Sequence, residues 1–244
     1  MFDHVTVRAS NREASEEFYD LVLAVLGIAK TNGDESLPEW DDFSLSQATE
    51  ERPATRRLHV GFVAPSRQLV DEFWRVGVEG GYRSDGEPGP RPLYSAAYYG
   101  SFLLDPDGSS VEAVVHEGTA ERTGIDHVWL RVANLAASLR FYELIARFGG
   151  FALRTNTAER VSFRGSNGSL SLVPGEPSEH VHLAFPAAVD ATVDAFHDAA
   201  TRAGFRDNGV PGERPIYHPG YYGAFVLDPD GNNVEVVNHN RGDA

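Results

Sequence analysis

The chain repeats itself at one fixed offset, and this limits what it can fold into. Asp3-His4-Val5 returns as Asp126-His127-Val128, an offset of 126 − 3 = 123 residues. The same step takes Phe18-Tyr19 to Phe141-Tyr142, His59 to His182, and Tyr98-Tyr99-Gly100 to Tyr221-Tyr222-Gly223. It takes Asp105-Pro106-Asp107-Gly108 to Asp228-Pro229-Asp230-Gly231, Glu112 to Glu235, and His116 to His239. So long a period marks a duplicated domain, since solenoid units run roughly 20–50 residues. Two domains are expected, residues 1–117 and 126–244, with a short polar linker at 118–125.

Each half carries the same local signals. A strand opens it (His4–Ala9; His127–Ala133). Asn11 or Asn134 follows as a helix N-cap. An amphipathic helix comes next, about Ala14–Val25 and Ala136–Phe148. Short strands are expected at Phe43–Gln47 and Leu170–Val173, then at Leu58–Val63 and Val181–Phe185. A second helix spans about Arg67–Glu79 and Asp190–Ala203. The closing strands are Gly100–Leu104 with Val111–His116, and Gly223–Leu227 with Val234–His239. Asp-Pro-Asp-Gly makes the turn within each pair, with Pro setting φ and Gly supplying a positive one. The Pro/Gly-rich stretches EPGPRPLYSAAYYG and VPGERPIYHPGYYG read as long loops. The fold class is α+β with mostly antiparallel sheets.

Strand alternation sorts the side chains. Val5 and Val7, Val60 and Phe62, and Val111 and Ala113 form apolar faces for the helices to cover. The opposite faces carry His4, His59 and Glu112 in one half, and His127, His182 and Glu235 in the other. Two imidazoles and a carboxylate form a common divalent-metal set that leaves positions open for substrate or water. His116 and His239 lie further along the same faces as the Glu residues, and a neutral imidazole there could move protons. Arg8 and Arg131 share the His-bearing face and suit either an anionic substrate or a carboxylate.

Composition excludes several functions. Thirty-six acidic against 21 basic residues give a net charge of −15, which disfavours nucleic acid and anionic membranes. The absence of cysteine removes disulfides, thiol nucleophiles and Cys zinc sites. No apolar run reaches about 18 residues and no signal peptide is read at MFDHVTVRAS, so a cytoplasmic protein is expected.

These motifs resemble the vicinal oxygen chelate superfamily of glyoxalases, bleomycin-resistance proteins and extradiol dioxygenases. The resemblance rests on DHV opening a strand, FY in the next helix, LHVGF or VHLAF opening the second module, and YYGSFLLDPDGSSVEAV or YYGAFVLDPDGNNVEVV closing it. It implies four βαβββ modules, curved sheets, and metal ligands at His4, His59, Glu112, His127, His182 and Glu235. The ion would be Fe, Zn, Ni or Mn. It leaves the pairing open: each half could hold its own triad, or His4 could join His182 and Glu235 while His127 joins His59 and Glu112. Glyoxalase I adds a fourth ligand from a strand that here reads FSLSQ or SLSLV, where Gln47 is the one candidate. The Tyr of the extradiol fingerprint is replaced by Phe102 and Phe225, and its upstream His is matched by His218 but by Ser95 in the first half.

The resulting expectation is a metal-dependent lyase or isomerase acting on a small oxygen-chelating substrate. The alternatives are an extradiol-type dioxygenase and a metal-independent binder of aromatic drugs or metabolites. His218, His239 and Tyr222 are the catalytic candidates. If one site works, the second half is favoured, for it keeps His182, Glu235, His218 and Trp129. The partner is a small molecule, and the chain is a monomer with pseudo-dimeric halves or a homodimer.

Overall fold

The computed structural model describes residues 1–31, 37–119 and 122–240. Within them the chain forms four successive βαβββ modules. The first runs β1 (His4–Ala9), α1 (Arg12–Val25), β2 (Lys30–Thr31), β3 (Glu39–Trp40) and β4 (Phe43–Gln47). The second runs β5 (His59–Val63), α2 (Arg67–Glu79), β6 (Arg83–Pro90), β7 (Tyr99–Leu104) and β8 (Ser110–Val115). The third runs β9 (Ile125–Val132), α3 (Leu135–Ala146), β10 (Ala152–Asn156), β11 (Val161–Arg164) and β12 (Ser169–Pro174). The fourth runs β13 (His182–Pro186), α4 (Asp190–Arg202), β14 (Arg206–Glu213), β15 (Tyr222–Leu227) and β16 (Asn233–Asn238).

The expected helices form where their caps put them. Asn11 Oδ1 accepts from Ala14 N, and Asn134 Oδ1 from Ala137 N. Each satisfies a donor that the first helical turn leaves unpaired. Helix α1 buries Phe18, Tyr19, Val22 and Leu23, and α3 buries Phe141, Tyr142 and Ile145. Full burial of each such side chain contributes roughly 1.5–3 kcal/mol.

The repeated Tyr and Asp-Pro-Asp-Gly motifs are one structural device. Tyr19 OH donates to Asp105 Oδ2 at 3.1 Å, and Tyr142 OH to Asp228 Oδ2 at 2.9 Å. The other oxygen of each Asp accepts from backbone N–H groups inside its own turn. The first helix of each half is thus tied to the β7–β8 or β15–β16 turn. Burial drives the Asp105 carboxyl up to about 6, the turn and Tyr19 hydrogen bonds pulling against it.

The strands order as β14-β15-β16-β13-β1-β4-β3-β2 and β10-β11-β12-β9-β5-β8-β7-β6. Both sheets are mixed. The β5–β8 and β13–β16 pairings are parallel, and the hairpins within the modules are antiparallel. By contacts the chain resolves into two compact units. A composite unit contains Met1–Val5 and Leu130–Ala244, and a continuous unit contains Thr6–Trp129. Strands β1 and β9 each run from one unit into the other.

The Pro/Gly-rich stretches differ from expectation. Their leading residues extend the edge strands β6 and β14 instead of forming loops. An edge strand tolerates Pro, since its outer N–H groups need no ladder partner. Register shifts beside Gly86 and Gly89, and beside Gly209 and Gly212, absorb the irregularity. Gly86 and Gly209 are required by close packing, because a Cβ at either would lie 2.8 Å from the Phe102 or Phe225 ring.

Candidate metal centres

Three adjacent strands build each cluster. In the continuous unit these are β8, β5 and β9, whose register places Gly61 opposite both Glu112 and His127. His59 stands two residues back on the same face of β5, as the alternation requires. His59 Nε2 lies 3.0 Å from His127 Nε2 and 3.1 Å from Glu112 Oε2, and His127 Nε2 lies 3.2 Å from that same oxygen. In the composite unit the strands are β16, β13 and β1. His4 Nε2 lies 3.0 Å from His182 Nε2, and Glu235 Oε2 lies 3.1 Å from His182 Nε2 and 3.7 Å from His4 Nε2. Of the two pairings left open by the sequence, the structure assembles the crossed one.

Donor geometry tests whether a metal fits. A point equidistant from three atoms must lie at least the triangle's circumradius from each. For these triangles that radius is about 1.8–1.9 Å, within the roughly 2.0–2.2 Å that metal–nitrogen and metal–carboxylate bonds require. The donor set and the spacing therefore fit one divalent ion per cluster, with coordination positions left open.

Each ligand is held from behind. Asp126 Oδ2 accepts from His127 Nδ1 at 2.9 Å, and Asp3 Oδ1 from His4 Nδ1 at 2.8 Å. Such partners set the tautomer so that Nε2 presents its lone pair. His59 Nδ1 donates to Ser110 Oγ at 3.1 Å, and that hydroxyl donates onward to Asp85 at 2.7 Å. The far oxygen of each Glu accepts from a tyrosine: Tyr98 OH at 2.9 Å and Tyr221 OH at 2.7 Å. Burial and the adjacent carboxylate push both phenols far up, so they remain donors. Gly100 and Gly223 make room for this bond, since a Cβ at either would collide with Oε1 of Glu112 or Glu235.

The metal-free electrostatics call for a cation. Burial would push the Glu112 carboxyl up, but hydrogen bonds from His127 and His59 outweigh it and hold it at about 2. Burial opposes the charge on His127, yet Asp126 and Glu112 raise its imidazole to about 10. Burial leaves His59 shifted down, and so neutral. A proton on His127 thus occupies the centre of the triad. In the composite unit Asn233 Nδ2 donates to His182 Nδ1 at 2.6 Å, which places that ring's hydrogen on Nε2. Coordination through His182 requires this amide to turn over and present its oxygen.

Several expectations need correction. Gln47 is no fourth ligand: its Oε1 accepts from Arg12 N while its Nε2 donates to the carbonyls of Ser10 and Ala48. Trp129 does not accompany His182. Its ring stands 6.0 Å from His59 and 6.4 Å from His127, and Tyr94 is 5.8 Å away. His218 belongs to the composite unit, 2.7 Å from His239, so the residues distinguishing the halves go to different clusters. Tyr222 is not brought to the cluster. Its hydroxyl donates to Asp194 on α4, and strand alternation gives the site-facing position to Tyr221. Among the described residues no carboxylate pairs with Arg8, and burial and nearby Arg52 lower it. The glycines at 61, 100 and 223 and the supports Asp3 and Asp126 were missed, although the repeated Asp-His pair was a readable signal for the supports.

Residues 124–236 match the Glyoxalase/Bleomycin resistance protein/Dioxygenase superfamily. That stretch of the chain belongs to the vicinal oxygen chelate superfamily. Because of the crossing, its members His127 on one side and His182 and Glu235 on the other serve different clusters. The fold agrees with the assignment. Glyoxalase I from Zea mays is 18% identical over 98% of this chain and 92% of that one, with a TM-score of 0.67. A candidate dioxygenase from Bacillus subtilis is 14% identical over 99% and 86%, with a TM-score of 0.66. No curated protein matches the chain in sequence. Among the described residues no helix is long and apolar enough to cross a membrane.

Proposed function

We propose that this vicinal oxygen chelate protein is a divalent-metal-dependent lyase or isomerase of the glyoxalase type, acting on a small substrate with two neighbouring oxygens. The observation that carries the reading is the convergence of two imidazole nitrogens and one carboxylate oxygen within 3.0–3.7 Å in each unit. His59, His127 and Glu112 would hold one ion, and His4, His182 and Glu235 the other. A bound divalent ion supplies a Lewis acid for substrate oxygens on which negative charge develops.

The rest of the chemistry belongs to the chain. Asp3 and Asp126 keep the hydrogens of His4 and His127 on Nδ1, so these rings need no reorientation on binding. Tyr98 and Tyr221 restrict each Glu to one free oxygen, leaving room for a bidentate substrate. Phe102 and Phe225 stand 5.9 and 6.2 Å from His59 and His182 and present apolar ring surface beside the donors. His218 and His239 can hold a proton near the composite unit's cluster.

The extradiol dioxygenase reading has one observation in its favour, the His218–His239 pair beside a two-His, one-Glu triad. Against it stands Phe225, which has no hydroxyl. The test begins with metal per chain in untagged protein purified without chelator. Assays then follow on thiol adducts of 2-oxoaldehydes and on a catechol panel in air. Turnover of the first with two equivalents of metal is expected. Yellow ring-cleavage product would favour the dioxygenase. Failure to retain any divalent ion would transfer the assignment to a metal-independent aromatic binder. The same proposal places the chain in the cytoplasm, as a monomer with pseudo-dimeric halves or a homodimer, which sedimentation distinguishes.

A further inference from the structure

The two clusters share their ligand types but differ in the rings beside them. In the continuous unit, β9 pairs with β5 so that Trp129 stands opposite His59, and Trp129 follows His127 by two residues on the same face. The half-buried indole therefore lies beside two of the three ligands, 6.0 Å from the His59 ring and 6.4 Å from the His127 ring. Tyr94 meets the indole at 5.8 Å with the planes at 78°. Tyr94 in turn lies 4.9 Å from Tyr98, whose hydroxyl holds Glu112. An indole and a phenol near a right angle make a corner. A third ring placed there can stack on one and meet the other edge-on, and both arrangements are favoured between aromatic rings. Tyr94 is 43% exposed, so the corner is open to solvent. The duplication does not repeat it. The residue at 129 − 123 = 6 is Thr6, whose hydroxyl lies 2.7 Å from Ser44 Oγ. Tyr217 repeats Tyr94 and keeps the contact with its own partner, Tyr221, at 4.8 Å, but among the described residues no second ring meets it.

We propose that the two clusters select different substrates, and that Trp129 and Tyr94 are the specificity-determining residues of the continuous unit. Its cluster takes a compound with an aryl group beside the two chelating oxygens, and the composite unit's cluster takes one with a smaller substituent. Chelation fixes the oxygens at the ion and thereby fixes the direction of whatever they carry. A ring carried into the corner leaves water and gains ring-on-ring contact, whereas a methyl group in the same place covers little of either ring. Phe102 and Phe225 do not discriminate, because the halves share them: each lies beside its histidine, with Arg91 over one and Arg214 over the other. The difference therefore falls on Trp129, which the duplication replaces by Thr6, and on the Tyr94 contact that Trp129 makes possible. This selection rests on the metal reading proposed above.

The test uses the full chain loaded with cobalt(II) and two probes with the same pair of donor oxygens, benzohydroxamate and acetohydroxamate. Glu235→Gln leaves only the continuous unit's cluster, and Glu112→Gln leaves only the composite unit's. Each probe is titrated into each form, and the change in the cobalt absorption spectrum gives its Kd. The ratio of the two Kd values measures the preference for the aryl group. That preference should be about tenfold greater in the continuous unit, the gain expected from one or two well-placed ring contacts. In the Glu235→Gln background, Trp129→Thr should bring the preference down to that of the composite unit, with acetohydroxamate still bound. Trp129→Phe should retain most of it, and Tyr94→Leu, at an exposed position, should lose part of it. Equal preferences in the two single-cluster forms would overturn the proposal, a comparison that needs no change at Trp129. An unchanged preference in Trp129→Thr would overturn the role of Trp129. Cobalt bound with equal preferences would leave the metal reading standing and refute the selection alone, whereas no cobalt bound by the wild-type chain would refute both.

Discussion

Gly61→Ala should dismantle one cluster and spare the other. Gly61 sits between Glu112 and His127 across three strands, and a Cβ there would lie 2.7 Å from both ring nitrogens of His127. Ordinary contact between such atoms needs about 3.5 Å or more, so the ring must retreat by roughly 1 Å. A metal ligand tolerates only about 0.2 Å of misplacement. His127 is also boxed in by Asp126 behind and Trp129 beside it, which leaves few ways to retreat. The overpacking itself should cost about 1–3 kcal/mol. Metal affinity at this cluster should fall about a hundredfold or more, the upper end for disrupted ligand support. The composite unit carries its own control, since the residue at 61 + 123 = 184 is already alanine, packed against Tyr221 and Val237. The assay is metal stoichiometry and cobalt(II) titration of the folded variant, with circular dichroism to confirm the fold. One tight equivalent per chain is expected in the variant, against the two that the proposed pair of sites predicts for the parent. Two tight equivalents with unchanged affinity would show that His127 is not a ligand or that Gly61 is not needed to seat it.

Other changes separate the structural from the chemical roles. Tyr221→Phe removes the donor to Glu235 Oε1 and should cost about 1–3 kcal/mol, together with about tenfold in cobalt affinity at that cluster. A titration indistinguishable from wild type would remove Tyr221 from the site. Glu235→Gln should leave one equivalent of metal per chain, and retention of two would exclude the carboxylate as a ligand. Asp105→Asn tests the buried turn carboxyl. Its folded value of about 6 exceeds the unfolded value near 3.8, so the folded state binds more protons between them. Its stabilising contribution is complete below about pH 4 and is lost as pH rises through 6, about 3 kcal/mol in all. Asp105→Asn should therefore gain on wild type by up to that amount between pH 4 and 8, read by urea denaturation at both. A difference that stays constant with pH would refute the assignment. Saturating divalent metal at about 100 times its Kd should add roughly 2.7 kcal/mol per site, visible as a rise in Tm that chelator reverses. An unchanged Tm with metal bound would indicate ions held outside the folded sites.

The site was half legible because its ligands obey a local rule. His4, His59, Glu112 and their repeats stand on the non-helix faces of strands simply because side chains alternate there. Tyr222 is a catalytic candidate by sequence, yet it is Tyr221 that bonds Glu235. Two consecutive tyrosines lead into the closing strand, and only the register of that strand against its neighbour decides which of them faces the Glu. The edge strands β6 and β14 were hidden for a related reason. Their Pro and Gly residues signal turns, and only the neighbouring strand supplies the hydrogen bonds that make them strands.

By itself the sequence determined the duplicated modules, the helix caps, the apolar and polar faces of the strands, and the donor types available to a metal. Each of these follows from interactions within a few residues or from a repeat visible in the letters. Only the tertiary structure decided that β1 lies beside β13 and β9 beside β5, so that His4 joins His182 and Glu235 while His127 joins His59 and Glu112. It alone placed Trp129 with one cluster and His218 with the other. Strand pairing across 178 residues is a non-local choice, made by the burial and backbone hydrogen bonding of whole sheets. Both pairings use the same residues on the same faces, and no local periodicity distinguishes them.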